Sequence, residues 1–400
     1  MGYESCIQER ENVGISYDLE RMEELMSELG SPQDRLPIIH VAGTNGKGST
    51  SLYLEAIYAE NYKVGAFISP SFGAPYEMIR YNGKPVLEGL VEASYLLIEL
   101  AVEIVEERRG EKLSSFEVWT ALMFMLFAEV VETDIVIVEA GLGGMLDSTN
   151  VHPMPLATVI TSIGMDHQQF LGQSRYEIAQ HKAGIMRPFV PTFTGCDEEA
   201  NDWLRDFAKQ MKARYRAPME VSYQAPNIVK LEGETIPLHA PGKHQAQNAT
   251  LAWQVASRLK KQFSDVSIQS LSDCKLPGRF EKLHEEPAIY VDTAHNMEAI
   301  RTVIQTIEES SDINNPSFLF SAMKDKPFNE MMDELKEIGE VTAYCMDQSR
   351  SIQVEDLEGL EVNVTKDALL FIQAFIKNHP DETLIVTGSH AFIAEIKQAL

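Results

Sequence analysis

A lysine set between two glycines, in the segment Gly46-Lys47-Gly48, follows a run of apolar residues and precedes two hydroxyl residues, Ser49 and Thr50. Glycines let successive backbone N–H groups converge on phosphate oxygens, a following helix adds its positive N-terminal end, and the lysine neutralises charge. The spacing departs from the common phosphate-loop form, because Val41 stands at the first glycine position and Gly48 separates the lysine from the hydroxyls. An ordinary glycine-rich turn is the alternative, but it would not require the lysine. We therefore predict a loop that holds a nucleoside triphosphate.

A glutamate, Glu139, ends the β-branched run Val136–Val138 and directly precedes the glycine turn that begins near Gly141. In an open α/β sheet, ligands bind outside the carboxyl ends of the strands. Hard oxygen donors at that edge suit Mg²⁺ bound to nucleotide phosphates. A carboxylate that only stabilises a turn is the alternative, and the nearby phosphate loop favours the metal role.

Two further groups could take part in chemistry. His167 follows another apolar strand, and Lys182 lies fifteen residues later in a helical segment. A histidine at a strand end is more often a satisfied structural group, and most helical lysines are solvated. From the residues alone, both roles stay open.

The elements that must position these groups alternate between strands and helices. Short β-branched runs at residues 64–68, 134–140 and 156–163 are separated by helical stretches, which predicts an α/β fold with a mostly parallel sheet. Proline and glycine interrupt the pattern at Leu276–Arg279, so we expect one domain over residues 1–275 and a second over 276–400. The second contains four further strand-like runs and reads as a smaller Rossmann-like sheet. These runs cover residues 288–292, 317–321, 341–345 and 383–387.

Composition limits the partners. The 400 residues include 60 acidic and 34 basic ones, for a formal net charge of −26. This charge argues against a general nucleic-acid or anionic-membrane surface, so any anionic ligand must be held locally. The four cysteines are far apart, no secretory leader is recognisable, and no apolar run reaches the roughly 20 residues of a spanning helix. We expect a reduced, cytoplasmic setting.

The order of the motifs resembles that of one family along nearly the whole chain: the folylpolyglutamate synthase and dihydrofolate synthase enzymes of the Mur ligase superfamily. The matching segments are Leu19–Met22, Leu29-Gly30, Gly43–Ser49, Ser69-Pro70, Phe116-Glu117, Glu139–Gly144, Leu146-Asp147, Thr149-Asn150, Ile160–Gly164, Asp166-His167, Lys182–Ile185, His244-Gln245, Asn248-Ala249, Pro277–Arg279, Asp292 and Ala294–Asn296. The resemblance implies a P-loop ATP-binding domain of the Mur ligase central type, followed by a Rossmann-like domain of the Mur ligase C-terminal type.

The resemblance also implies site residues. The positions that match ATP-binding residues are Thr44, Asn45, Gly46, Lys47, Gly48, Ser49, Asn248, Arg279 and Asp292. Those that match magnesium ligands are Ser69, Glu139, His167 and Lys182, the last as a lysine carbamylated by CO₂. Those that match acceptor-binding residues are Phe116, Glu117, Leu146, Asp147 and Ser148. Lys47, His167, Lys182 and His295 are the expected catalytic group.

The implied reaction is an ATP- and Mg²⁺-dependent ligation. The γ-phosphoryl group activates a carboxylate of folate or dihydropteroate, and L-glutamate attacks the acyl phosphate. We expect a monomer that binds neither nucleic acid nor a membrane. Two alternatives stay open: a Mur-type ligase that acts on another carboxylate, and a nucleotide-binding relative that has lost ligation.

Several positions depart from the family pattern, among them Ser71, where histidine or an aromatic residue is common, and Asp18, where glycine is common. Met78 and Met145 stand where the family usually has arginines. Neutral drift is one interpretation. A reshaped acceptor site is the other.

Overall fold

The computed structural model describes residues 3–10, 13–14 and 18–399, which form two compact units. The first unit runs to Glu220 and resumes over Asn248–Leu271, and the second comprises Val221–Gln247 and Ser272 onward. The main division lies close to the boundary expected at residue 276. The segment Val221–Gln247 groups with the second unit, however, although it precedes the expected boundary.

The first unit is built on an eight-stranded sheet in the order β4-β3-β2-β5-β1-β6-β7-β8. Its strands are β1 Ile38–Ala42, β2 Val64–Phe67, β3 Ile79–Tyr81, β4 Lys84–Pro85, β5 Ile135–Glu139, β6 Ala157–Ile160, β7 Pro191–Thr194 and β8 Arg214–Arg216. All are parallel except β3 and β4, which form an antiparallel edge. The fold class and the three strands expected here are confirmed. Strands β1, β2, β5 and β6 are buried along their whole length, because both faces of the sheet are covered.

Helices pack on both faces of this sheet. The helices of the unit are α1 Tyr3–Gln8, α2 Glu20–Glu28, α3 Lys47–Ala59, α4 Glu88–Arg109, α5 Ser115–Met125, α6 Gln168–Leu171, α7 Arg175–Ala183 and α8 Glu198–Gln210. Helix α9 Lys243–Leu259 begins in the second unit and continues into the first, and α10 Ser270–Asp273 begins in the first and ends in the second. One apolar core includes Trp119 and Phe124 of α5, and another includes Ile178 of α7 and Leu204 of α8. Each large apolar side chain buried in this way contributes about 1.5–3 kcal/mol.

Two helix starts fix the positions of residues that matter below. Ser114 caps α5: its Oγ accepts a hydrogen bond from the Glu117 N–H, and the Glu117 carboxylate accepts one from the Ser114 N–H. Ser174 caps α7 in the same reciprocal way with Glu177. Phe116 and Glu117 therefore lie in the first turn of α5, and Lys182 lies in the last turn of α7.

The second unit contains a six-stranded sheet in the order β12-β13-β17-β14-β15-β16 and a separate antiparallel sheet in the order β11-β10-β9. Its strands are β9 Ser222–Gln224, β10 Ile228–Leu231, β11 Glu234–Pro237, β12 Glu281–His284, β13 Ala288–Val291, β14 Pro316–Phe320, β15 Glu340–Tyr344, β16 Asn363–Thr365 and β17 Thr383–Thr387. Its helices are α11 Met297–Glu308, α12 Phe328–Lys336, α13 Ala368–Asn378 and α14 His390–Ala399. Only β12 is antiparallel in the larger sheet, so the expected Rossmann-like arrangement is confirmed. Among the described residues, none of the helices has both the length and the apolarity needed to cross a bilayer.

Candidate active site

The phosphate loop connects β1 to α3 and is held by the loop that follows β6. The Asn45 N–H donates to Ser162 Oγ at 2.8 Å, and Thr161 Oγ1 donates to the Asn45 carbonyl at 2.6 Å. Thr44 Oγ1 accepts from the Gly164 N–H at 3.0 Å. These bonds fix the loop before any ligand binds, so the backbone donors are already oriented.

Two glycines of this loop have no room for a side chain. A Cβ atom at Gly43 would lie 1.8 Å from Thr161 Oγ1, and one at Gly46 would lie 2.5 Å from Asn248 Oδ1. Gly46 also has a φ of 85°, in the left-handed region that favours glycine. The close approach places Asn248, one of the expected ATP-binding residues, directly beside the phosphate loop.

Lys47 and Ser49 supply the polar groups of the first turn of α3. Lys47 Nζ donates to the carbonyls of Gly43 at 3.1 Å and Thr44 at 3.2 Å, so the ammonium lies over the loop. Ser49 Oγ is buried and has no hydrogen-bond partner among the described residues. A buried hydroxyl without a partner is costly, and a phosphate oxygen or a magnesium ion at this position would satisfy it.

The residues expected to bind magnesium follow neighbouring strands. Ser69 lies two residues beyond β2, Glu139 ends β5, and His167 follows β6. Strand β5 lies between β2 and β1, and Glu139 pairs in register with Val41, two residues before the loop. Glu139 is 3% exposed. The carboxyl ends of these strands therefore bring Ser69 and Glu139 to the same edge of the sheet as the phosphate loop.

The donor set is not one of the common metal clusters. No group of three or more His, Cys, Asp or Glu side chains that could hold a metal occurs within the described part of the chain. The expected set contains only two residues of these types, Glu139 and His167, together with a serine and a lysine. Oxygen donors and the unsatisfied Ser49 hydroxyl nevertheless fit Mg²⁺, which keeps several waters and uses few protein ligands.

Lys182 is 2% exposed and lies in a mixed electrostatic environment. Burial, and after it the nearby Lys47 ammonium, lower the pKa of its amine to about 7, although Asp166 and Asp147 act in the opposite direction. At neutral pH a large share of this amine is therefore uncharged, which is the form that reacts with CO₂. The influence of Lys47 and Asp147 also places Lys182 near the phosphate loop.

His167 has a left-handed backbone, with φ of 49°, and its side chain is 40% exposed. Its N–H donates to Asp166 Oδ1 at 2.8 Å, and its ring Nε2 lies 3.9 Å from the same oxygen. Asp166 is buried and acts on Lys182, so it belongs to this group of residues although the sequence interpretation gave it no role. Its position directly before His167 was the available signal.

The expected acceptor residues divide into two kinds. The Phe116 ring packs 5.7 Å from Phe67 and lies over Gly141, where a Cβ atom would meet it at 2.6 Å. The Glu117 carboxylate instead accepts two hydrogen bonds from the Arg21 guanidinium, at 3.1 and 2.8 Å, and both residues are buried. Phe116 thus borders the carboxyl edge of the sheet, whereas the charge of Glu117 is neutralised inside the unit.

The turn that carries Leu146, Asp147 and Ser148 is closed by its own aspartate. Asp147 Oδ2 accepts from the Leu142 N–H at 2.7 Å, and Oδ1 accepts from the N–H and hydroxyl of Thr149 at 3.0 and 2.5 Å. Burial raises the pKa of this carboxyl, which these bonds and Lys47 oppose. Leu146 and Ser148 are half-buried.

In the second unit, Arg279, Asp292 and His295 lie around the carboxyl end of β13. Asp292 is buried and accepts from the N–H groups of Phe280 and Ala294, both at 2.8 Å. Burial raises its pKa, and Arg279 opposes the increase. His295 Nδ1 bonds the Thr293 carbonyl at 2.9 Å. His390, which the sequence interpretation did not single out, is held neutral here: burial, Arg279 and His295 lower its pKa to about 3.

Comparison with known proteins agrees with this arrangement. The family model of the Mur ligase middle domain matches residues 41–256, and that of the Mur ligase glutamate ligase domain matches residues 278–390. A dihydrofolate synthase/folylpolyglutamate synthase of Bacillus subtilis is 35% identical, over 99% of this chain and 98% of the relative. The chain belongs to the dihydrofolate synthase/folylpolyglutamate synthase family.

The chain also resembles solved structures along nearly its whole length. The folylpolyglutamate synthase of Mycobacterium tuberculosis complexed with ADP superposes with a TM-score of 0.88 at 28% identity, over 99% of this chain and 97% of that one. FolC of Escherichia coli in complex with DHPP and ADP gives a TM-score of 0.87 at 28% identity, over 99% and 96%. Membership in this family makes the protein an ATP-dependent ligase.

Proposed function

We propose that this ligase adds L-glutamate to a carboxylate of dihydropteroate or a folate, at the expense of ATP and through an acyl phosphate. The observation that carries the proposal is the phosphate loop beside Glu139 on the neighbouring strand. Lys47 lies over this loop, and no described residue satisfies the buried hydroxyl of Ser49. Family membership supplies the substrate class: relatives carry the names dihydrofolate synthase and folylpolyglutamate synthase.

The reaction needs positioning more than covalent help from the protein. An acceptor carboxylate oxygen attacks the γ-phosphorus and ADP leaves, which gives a mixed anhydride. The glutamate amine then attacks its carbonyl carbon, phosphate leaves, and the amine loses a proton. Lys47 and the oriented N–H groups of the loop stabilise the negative charge during phosphoryl transfer. Asn248, Arg279, Asp292 and His295 remain proposed contacts of the nucleotide.

Ser69, Glu139, His167 and a carbamylated Lys182 are the proposed holders of magnesium. When bound, Mg²⁺ would neutralise charge on the phosphates. Lys182 can become carbamylated, because the uncharged form of its buried amine can attack CO₂ and lose a proton to form a carbamate. A carbamate offers two anionic oxygens, whereas an ammonium would repel the metal.

The acceptor would lie against the Phe116 ring and the turn that carries Leu146 and Ser148. Glu117 and Asp147 fit a different role from direct recognition, because Arg21, Leu142 and Thr149 already use their carboxylate oxygens. We infer that these two residues shape the acceptor pocket and that backbone groups and apolar surfaces provide its contacts. We further propose that the enzyme acts as a cytoplasmic monomer.

An ATP-consumption assay tests the function. Dihydropteroate, tetrahydrofolate and a UDP-muramyl acceptor are supplied in parallel, each with and without L-glutamate. Glutamate-dependent ADP release with dihydropteroate or tetrahydrofolate supports the proposal and tells the two activities apart. Turnover only with the UDP-muramyl acceptor would favour a Mur-type ligase. ATP binding without turnover on any acceptor would favour a nucleotide-binding relative that has lost ligation.

A further inference from the structure

We propose that His40 is a positioning residue for the acceptor turn: through Thr149 it holds Asp147, which closes the turn Leu142–Asp147. The inference rests on the proposed function, because it assigns this turn to the acceptor. It adds a residue that lies within β1 and outside the expected acceptor, nucleotide and metal sets. The same strand then fixes both the phosphate loop and the acceptor turn.

The chain of contacts is short and buried. His40 Nε2 lies 2.9 Å from Thr149 Oγ1, which lies 2.5 Å from Asp147 Oδ1. The three residues are 2%, 1% and 6% exposed. Asp147 then accepts from the Leu142 N–H through its other oxygen. Each bond in this series lies out of water, where its geometry is most strongly determined.

The direction of the hydrogen bonds follows from the number of protons. Asp147 receives two backbone N–H groups, so its carboxylate acts as the acceptor for the Thr149 hydroxyl. Thr149 has a single hydroxyl proton and gives it to that carboxylate. His40 must therefore carry its proton on Nε2 and donate it to Thr149 Oγ1.

The surroundings keep His40 in the form that this direction requires. Burial, with smaller contributions from Arg187 and His152, lowers the pKa of its ring to about 3. The ring is thus neutral throughout the physiological range and has one N–H. Arg187 is itself held by the carbonyl and side-chain oxygens of Asn150, the residue after Thr149.

The turn controlled by this series lies where an acceptor would meet the phosphates. Gly141 is exposed and lies under the Phe116 ring, while Leu142, Met145 and Leu146 are half-buried. Lys47 acts on the pKa of Asp147, so the closed end of the turn is near the phosphate loop. His40 lies only three residues before Gly43, where that loop begins.

Steady-state kinetics of a matched set of variants tests the proposal. Thr149→Val removes the hydroxyl with little change in shape, and His40→Leu removes the donor. Each should raise the KM for the folate acceptor about tenfold, while the KM for ATP changes less than twofold. The double variant should be no worse than either single one, because both changes break one series. Thr149→Ser and His40→Gln, which keep a hydroxyl and an N–H donor, should restore most of the acceptor affinity.

Thr192→Val is the control. Thr192 is equally buried, lies on β7, two strands away from His40 in the sheet, and its hydroxyl bonds Thr158 at 2.7 Å. This variant should leave both KM values unchanged. Equal losses in the control, additive effects in the double variant, or an unchanged acceptor KM in folded Thr149→Val would overturn the proposal.

Amide hydrogen exchange gives a readout that needs no substrate. The Leu142 and Thr149 amides should exchange about tenfold faster in Thr149→Val or His40→Leu and at the original rate in Thr149→Ser. If the unmodified protein ligates no folate but exchange responds in this way, the positioning role stands and the proposed function fails. If the unmodified protein ligates folate but Thr149→Val and His40→Leu change neither the exchange rates nor the acceptor KM, the proposed function stands and the positioning role fails. Should both disruptive variants fail to fold, faster exchange in Thr149→Ser than in Thr192→Val would overturn the proposal, and equal exchange would support it.

Discussion

The phosphate loop and the acceptor turn use polar groups in opposite ways. In the phosphate loop, the Ser49 hydroxyl has no hydrogen-bond partner within the part of the chain that the structure describes, and the Lys47 ammonium donates to carbonyls of its own loop. In the acceptor turn, both carboxylate oxygens of Asp147 accept hydrogen bonds from groups of the turn and of the adjacent Thr149. The first region keeps charge available for a ligand, and the second uses charge to hold its shape. Electrostatic contacts should therefore dominate phosphate binding, and shape should dominate acceptor binding.

Removing Lys47 should have the largest effect. Lys47→Ala is expected to lower ligation on the order of 10²–10³-fold, because the phosphoryl group loses its nearest positive charge. The melting temperature should change little, since the hydrogen bonds of the ammonium go to carbonyls of its own loop. Lys63→Ala is the control, because Lys63 is an exposed lysine paired with Glu132. Near-normal turnover of Lys47→Ala at saturating ATP would contradict the phosphate assignment.

Removing Lys182 should lower activity less than removing Lys47 does, and a short carboxylic acid should partly reverse the loss. Lys182→Ala is expected to reduce turnover about 10–100-fold. Acetate should restore part of it, because a carboxylate can take the place of the carbamate. Lys209→Ala, on α8, should show neither the loss nor the recovery. An unmodified Lys182 in a structure with nucleotide and magnesium bound would rule out the carbamate.

Met78 and Met145, which stand where the family resemblance implies arginines, should respond differently when each is replaced by arginine. Met145 is half-buried on the acceptor turn, so Met145→Arg should lower the acceptor KM up to about tenfold through a charge-assisted hydrogen bond. Met78 is 8% exposed within the apolar core, so Met78→Arg should instead cost about 3 kcal/mol of stability. Acceptor KM values and urea unfolding measure the two outcomes. Met145→Leu, which adds no charge, should leave the acceptor KM unchanged.

Replacing His40, on the strand β1 that joins the two regions, should give the smallest effect, which is a change in stability at acidic pH. The pKa of His40 is lowered to about 3 in the folded protein, against 6.5 for an unperturbed ring. Between these values the unfolded chain binds a proton that the folded chain does not, so stability falls as pH drops from 6.5 toward 3. Above pH 6.5 both states are neutral and the contribution is constant. His40→Gln should flatten this decline by about 1–2 kcal/mol in urea unfolding at pH 5.5 relative to pH 7. An unchanged slope would contradict a buried neutral ring.

Local sequence patterns predicted the features that depend on neighbours in the chain. The lysine between glycines indicated the turn between β1 and α3, and the β-branched runs indicated β2, β5 and β6 to within a few residues. The pairing of Glu117 with Arg21, and of Asp147 with Leu142 and Thr149, could not be predicted in this way. A side chain that bonds a distant or a non-periodic partner leaves no trace in periodicity or spacing. The same reason applies to Val221–Gln247, whose grouping with the second unit depends on packing.

The buried pair of Arg21 and Glu117 has a consequence for how this protein can be recombined. Arg21 belongs to α2 and Glu117 to α5, and their two hydrogen bonds join helices that lie far apart in the sequence. Replacing only one of them would leave a charge inside the unit without its counterion, at a cost of about 3–5 kcal/mol. A chimaera that takes α5 from one homologue and α2 from another must therefore transfer both positions together. The two helices form one unit of inheritance, although ninety-six positions separate the paired residues.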